Sequence, residues 1–219
     1  MRKTKRITDS ILARRLLIDR ITGSLTGRVK DLHKLAGLRK TPIESPGLRA
    51  FLRTLDRDID DNRGMASLFA RVGALTNRHC KRKLVENLIV NWGIKGRGIR
   101  SQLVDQGIWA PTLIVISPTM RCNLRCAGCY SGLYSKDGEL SEAEIDGILA
   151  ECRRIGVYFV VISGGEPYIM KDVWLRLFKK YSDMYFLTYT NGTLLDERTV
   201  KALRAMGANV TYVIPDRFR

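Results

Sequence analysis

The chain lacks a long apolar run. Its longest uninterrupted one, Val157 to Ile162, is six residues, the length of a strand. A membrane-spanning helix needs about 18 or more, so no such helix is expected. A secretory leader is also missing. Met1-Arg2-Lys3-Thr4-Lys5-Arg6 is basic, but the apolar stretch behind it is interrupted by Arg14, Arg15 and Asp19, with no small-residue cleavage site after it. There are only 5 cysteines in 219 residues. The number is odd and three are clustered, which argues against the disulfide framework of a small secreted domain. The expected setting is a reducing cytoplasm. Histidine is scarce, at 2 residues. His33 stands alone and His79-Cys80 has no neighbouring ligands, so no histidine-based metal site is expected. Asp56, Asp58, Asp60 and Asp61 lack the glycine and closing glutamate of a calcium loop and read as a solvated run.

Acidic residues are also few, and unevenly so. The formal net charge is +16, and residues 1–110 hold 24 Lys+Arg against 10 Asp+Glu. The remainder is nearly balanced, which places a boundary near Ala110-Pro111. The basic half reads as helical. Apolar residues recur three and four apart in Leu48, Phe51, Leu52, Leu55 and in Leu84, Val85, Leu88, Ile89, Trp92. Thr41-Pro42 and Ser45-Pro46-Gly47 mark a loop, and Gly93, Gly96 and Gly98 a further break. A first helix over Thr8 to Ile21 sets Ile7, Ile11, Ile18 and Ile21 near one face, on which Arg14 intrudes. Such a surface is either solvated or meets an anionic partner: a lipid surface, a nucleic acid or an acidic protein. Phe51, Phe69, Trp92 and Trp109 are its only aromatics and it has no tyrosine. That is a poor supply for stacking nucleic-acid bases.

Residues 111–219 alternate strand and helix. Strands are expected at Thr112–Ser117, Val157–Ile162, Met184–Tyr189 and Asn209–Ile214, each short and rich in β-branched or aromatic residues, as in a parallel sheet buried on both faces. Helices are expected from Ser141 to Arg153, opened by a Ser141/Glu144 capping box, from Lys171 to Tyr181, and from Asp196 to Gly207. The later repeats are normal βαβ units. The first is longer by an insertion after strand one, and that insertion carries the cysteines. Cys152, mid-helix, reads as a buried small hydrophobe.

The insertion reads Cys122-Asn123-Leu124-Arg125-Cys126-Ala127-Gly128-Cys129-Tyr130, a C-x3-C-x2-C spacing. Electron-carrier clusters and closed zinc sites each take four protein ligands. Three thiolates can hold three corners of a cubane iron–sulfur cluster and leave one iron for an exogenous ligand. Ser163-Gly164-Gly165-Glu166-Pro167 follows strand two and Thr190-Asn191-Gly192-Thr193 follows strand three. Ligands of parallel α/β folds bind outside the carboxyl ends of the strands, so the three segments are expected around one cavity. Gly164 and Gly165 let the main chain approach a ligand closely.

At these residues the chain resembles the radical S-adenosylmethionine (SAM) superfamily. The resemblance runs from Thr112 to Ile214 and rests on the cysteine spacing, on Gly164-Gly165-Glu166-Pro167 and on Thr190-Asn191-Gly192. It implies a partial (βα) barrel of which about four units are present, preceded by the basic all-helical region. It further implies a [4Fe–4S] cluster on Cys122, Cys126 and Cys129, with SAM on the open iron. Residues Gly164, Gly165, Glu166 and Pro167 would then lie at the methionine amino group, with Thr190 and Asn191 near the SAM. Reductive cleavage of SAM would give a 5′-deoxyadenosyl radical that acts on an unidentified substrate, with reduced ferredoxin or flavodoxin as donor. Two features depart from the family pattern. Gly128 stands where an aromatic residue usually precedes the third cysteine, and Tyr130 follows it. The chain also ends after four of the usual six units, with Val213-Ile214-Pro215-Asp216 in place of a ribose-binding strand end. A truncated product is therefore expected, and the competing reading is a catalytically inactive iron–sulfur or anion-binding module. A zinc adaptor comes third.

Overall fold

The structure is a computed structural model that describes residues 11–32, 77–135, 137–206 and 209–212, with isolated helical positions between 53 and 74. His33, the 41–47 loop, the Leu48–Leu55 stripe, Asp56, Asp58, Asp60, Asp61, Ile7 and residues 213–219 lie outside the described residues. The chain divides into two compact units, Met1–Lys95 and Gly96–Arg219.

In the first unit, helix α1 spans Ile11–Ser24. Ile18 and Ile21 are buried, as the periodicity requires. The arginine on their face has local partners: Arg14 Nη2 donates to Glu86 Oε1 and to Asn91 Oδ1, each at 3.0 Å. The charge is thus paired where it leaves water, the usual condition for a half-buried guanidinium. Thr22 Oγ1 and Ser24 Oγ donate back to the carbonyls of Ile18 and Arg20 at 2.7 and 3.0 Å, occupying acceptors at the open helix end. Helix α2 spans Arg78–Leu84, capped by Asn77, whose Oδ1 accepts from the Cys80 amide.

The expected break at Gly93, Gly96 and Gly98 is absent. The backbone continues from α2 as a π-helix over Val85–Gly96 and then as helix α3 over Arg97–Val104. A glycine costs a helix about 1 kcal/mol. Burial of side chains such as Val85 and Val90 outweighs that.

The second unit holds a four-stranded, all-parallel sheet: β1 Ile114–Ile116, β2 Phe159–Ile162, β3 Tyr185–Thr190 and β4 Asn209–Tyr212, in the spatial order of the chain. Ile114 pairs with Val160 and Val160 with Phe186, which fixes one face; Val115, Val161 and Leu187 share the other. Helix α4 (Glu142–Arg154) follows β1, α5 (Lys171–Lys180) follows β2 and α6 (Glu197–Met206) follows β3. The capping box at Ser141 and Glu144 is present in both directions.

The face bearing Ile116, Val160, Ile162, Phe186, Thr188 and Thr190 is buried. Phe178 of α5 meets Phe186 with ring centroids 4.7 Å apart and stacks on Trp174. The opposite face departs from expectation. Val115 is 62% exposed and Tyr189 42%, so this sheet is not buried on both sides. The apolar runs satisfied the pattern of a doubly covered strand, but the helices that follow these strands cover one side.

Cys152 is 5% exposed within α4, and burial, with a smaller contribution from Glu151, pushes its thiol up to about 11. It is the inert core residue that its position implied. Among the described residues no helix is long and apolar enough to cross a membrane.

Candidate functional site

β1 ends at Ile116 and, apart from one 3-10 turn at Tyr130–Leu133, the chain does not return to regular structure until α4. This long excursion is tied at its base: the Leu140 amide donates to the Pro118 carbonyl at 2.9 Å. Glu139 adds a second tie. It accepts from Thr119 Oγ1 and takes a two-pronged contact from Arg121, with Nη2 to Oε2 at 2.7 Å. These donors, Arg121 foremost and then Thr119, hold the Glu139 carboxyl below the ordinary carboxylate range. A depressed carboxyl contributes stability at pH values above its unfolded value and loses it as pH falls through the folded one. Glu139→Gln is therefore expected to speed amide exchange across residues 118–140 at neutral pH and to cost under about 1 kcal/mol globally, since the pair is half exposed. Acidification of the unaltered protein into the low carboxylate range should likewise lower the protection of these amides relative to their intrinsic exchange rate at that pH.

Gly128, at φ +71, makes the turn between Cys126 and Cys129 that the Cys129 amide closes on the Cys126 carbonyl at 3.3 Å. Gly128 thus serves the turn at the position where the family resemblance expected a ring. Tyr130 carries the aromatic ring instead. Its hydroxyl reaches across to Ser163 Oγ (3.1 Å) and to the Gly164 carbonyl (3.3 Å).

The glycine pair has a use in the structure that the sequence did not indicate. The Gly165 amide donates to the Thr119 carbonyl at 2.9 Å, and the Glu166 amide to the Arg121 carbonyl at 2.8 Å. A Cβ on Gly164 would stand 2.4 Å from Thr119 O, and one on Gly165 2.1 Å from Arg121 O. Gly164 is also at φ +113. The close approach these residues permit is therefore to the first leg of the cysteine loop.

Glu166 is fully buried. Its Oε1 accepts from the Tyr168 amide (2.9 Å) and from Thr190 Oγ1 (2.8 Å), and its Oε2 from the Asn191 amide (2.8 Å). The carboxylate points inward, joins the strand-two segment to the strand-three segment, and is satisfied by three donors. Pro167 is buried too and opens the short turn Pro167–Met170 that leads into α5. Burial, and to a lesser degree the Glu166 charge, pushes the neighbouring Tyr168 phenol upward.

Asn191 closes the figure. Its Oδ1 accepts from the Thr193 amide and from Thr193 Oγ1, at 2.9 and 2.7 Å. Its Nδ2 donates to Asn123 Oδ1 at 3.0 Å and to Cys122 Sγ at 3.7 Å. Asn123 Nδ2 returns a bond to Thr193 Oγ1 at 2.7 Å. Loop one therefore meets segment two through Thr119, Arg121 and Tyr130. Segment two meets segment three through Glu166, and segment three meets loop one through Asn123 and Cys122. All three follow the carboxyl ends of β1, β2 and β3. Tyr130, Asn123, Thr193 and the Arg121–Glu139 tie have no part in the sequence reading as contacts. Only the adjacency of Asn123 and Tyr130 to cysteines could have drawn notice.

Cys122, Cys126 and Cys129 are half-buried thiols on one loop. Cys122 Sγ also accepts from the Leu124 amide at 3.5 Å, and Cys129 Sγ lies 3.2 Å from Ser131 Oγ. Among the described residues, no three His, Cys, Asp or Glu side chains converge as ligands of one metal ion. A cubane cluster spreads its thiolates wider than a single ion does. Three soft sulfur donors on one loop, with amide donors at Cys122 and a hydroxyl at Cys129, have the ligand chemistry of an iron–sulfur group.

Residues 116–216 match the model of the Radical SAM superfamily. Over 135 residues the chain is 30% identical to Fe-coproporphyrin III synthase of Methanosarcina barkeri, covering 59% of this chain and 33% of that protein. It is 38% identical over 71 residues to mycofactocin maturase MftC of Mycobacterium ulcerans, covering 32% and 19%. It is 32% identical over 124 residues to GTP 3′,8-cyclase of Limosilactobacillus fermentum, covering 54% and 37%. Among solved structures, Streptococcus suis SuiB bound to S-adenosylmethionine matches with a TM-score of 0.40 and 19% identity, over 71% of this chain and 34% of that one. The chain thus spans between about a fifth and about two fifths of the length of these curated relatives.

Proposed function

We propose that the chain, whose residues 116–216 match the Radical SAM superfamily model, is a SAM-cleaving radical enzyme region that holds a [4Fe–4S] cluster through Cys122, Cys126 and Cys129. A cluster held there would supply the electron for reductive cleavage of SAM at its sulfonium S–C5′ bond, and so the radical chemistry for removing a hydrogen from a substrate. The relatives act on chemically different substrates, so the substrate is left unassigned.

The observation that carries this reading is the closed set of hydrogen bonds among the cysteine loop, Ser163–Pro167 and Thr190–Thr193. Three thiols, a glycine-flanked main chain and a polar pair meet at one end of one sheet. The chain's own residues do four things in this scheme. Cys122, Cys126 and Cys129 bind. Gly164 and Gly165 allow the cysteine loop to seat. Glu166 fixes Thr190 and Asn191. The exposed row of Val115 and Tyr189 lines the open sheet face as the inner wall of a partial barrel, where adenosyl and substrate groups would be shielded from water. The basic first unit is assigned to an anionic partner, and a reduced ferredoxin or flavodoxin to electron supply.

The test is anaerobic reconstitution with iron and sulfide, then addition of SAM and dithionite. About four irons per chain, a cubane electron paramagnetic resonance (EPR) signal altered by SAM, and release of 5′-deoxyadenosine are expected. Cys126→Ser should abolish all three. An intact cluster that never yields deoxyadenosine would return the inactive-module reading. One zinc and no iron would return the adaptor.

A further inference from the structure

We infer that Asn191 is a positioning residue that sets the reduction potential of the cluster by donating its amide to the Cys122 sulfur. The inference rests on the functional reading above, and its foundation is geometric.

Every degree of freedom of the Asn191 side chain is fixed by a named contact. The backbone is held by the amide bond to buried Glu166 Oε2 at 2.8 Å. The carbonyl end of the side chain is held by Thr193, which offers both its amide (2.9 Å) and its hydroxyl (2.7 Å). Two donors on Oδ1 leave only one assignment of the amide: the NH2 must face the other way. There one N–H reaches Asn123 Oδ1 at 3.0 Å and the other is directed at Cys122 Sγ, 3.7 Å away. Asn123 is braced in turn by Thr193 at 2.7 Å. Two asparagines and a threonine form a ring whose one outward donor aims at a cysteine ligand.

With the Leu124 amide at 3.5 Å, Cys122 Sγ receives two N–H donors. Of the three sulfurs, Cys129 has a hydroxyl, that of Ser131, at 3.2 Å. Donors to a ligating sulfur stabilise its negative charge. Adding an electron raises that charge, so the donors favour the reduced state, and hydrogen bonds to the sulfurs are one of the levers that set cluster potentials. Asn191 therefore eases the one-electron reduction on which SAM cleavage depends.

Two substitutions separate this role from a merely structural one. Asn191→Ser keeps an acceptor for the Thr193 amide and is too short to reach Cys122. Asn191→Asp keeps the same acceptor and turns a carboxylate oxygen to the sulfur in place of a donor. Midpoint potentials are read by EPR on reconstituted protein poised with mediators, without reference to turnover. The serine variant is expected to be about tenfold harder to reduce, a fall of about 59 mV for a one-electron couple, and the aspartate variant to fall further. If the serine variant folds poorly, the aspartate variant carries the same reading. Potentials equal to wild type in both variants overturn the inference and leave the functional reading standing. Loss of iron from both variants, with wild-type iron intact and circular dichroism unchanged, also overturns it, because Asn191 would then govern assembly. A wild-type chain that assembles no cubane cluster overturns both.

Discussion

Glu166→Ala is expected to lower the free energy of unfolding by about 3 kcal/mol and to prevent stable iron incorporation. Three donors bond to this buried carboxylate: the Tyr168 amide, Thr190 Oγ1 and the Asn191 amide. Each buried donor left without an acceptor costs about 1–3 kcal/mol. The low end applies because alanine also removes the burden of a buried charge. Glu166→Gln is the sharper probe. It keeps the volume but must turn an NH2 toward one of the donors, so it too should destabilise, by roughly 1–3 kcal/mol. Urea titration of both variants checks the stability claim. A glutamine variant as stable as wild type would show that one oxygen carries the whole network. The functional arm follows from position: without Glu166 the Asn191 main chain loses its tie to the segment on which the cysteine loop is seated, and reconstituted iron should drop with stability.

Gly165→Ala is expected to be comparably severe for a different reason. Its Cβ would stand 2.1 Å from the Arg121 carbonyl oxygen and 2.7 Å from that of Met120, both main-chain atoms that cannot rotate away. The chain must separate there, which breaks the Gly165–Thr119 and Glu166–Arg121 pairing. Overpacking of this kind costs about 1–3 kcal/mol and occasionally more. The second half of the expectation is local: faster amide exchange at Gly165 and Glu166 and easier proteolysis within residues 118–140. Gly147 supplies the contrast. It lies in α4 with nothing within 4 Å of a built Cβ, so Gly147→Ala should stabilise by about 0.5–1 kcal/mol. If both alanines behaved alike, the close approach would not be what the strand-two glycine serves.

The strands and helices of the second unit were legible because each signal there is local. Capping at Ser141 and strand runs of β-branched residues depend on a few neighbouring residues, and the described elements fall within a few residues of the expected bounds. The three motifs were legible as sequence and their contact was inferable from topology. What could not be read was which atoms met. Gly164 and Gly165 were expected to make room for a ligand, but the same absence of Cβ serves a neighbouring main chain. Glu166 was expected as a charge beside a pocket, and it is a buried brace. A carboxylate looks the same in sequence whether its partners are solvent or three donors, two of them brought in from 24 and 25 residues away. The exposed face of Val115 and Tyr189 was likewise hidden, because apolar runs report that a strand can be covered and not how many layers cover it. The glycines at 93, 96 and 98 failed as break signals because the surrounding burial outweighed their propensity.

The sheet's simple order, each strand lying beside its predecessor in the chain, has a consequence for biogenesis. A growing polypeptide can add each new strand to an existing edge without threading, so the ribosome releases the sulfur-bearing loop well before the asparagine that steadies it. Those two points are 69 residues apart, several seconds of synthesis at typical elongation rates. Metal loading on the nascent chain would meet an unbraced loop. The loop acquires its Asn191 brace only once the third strand has emerged.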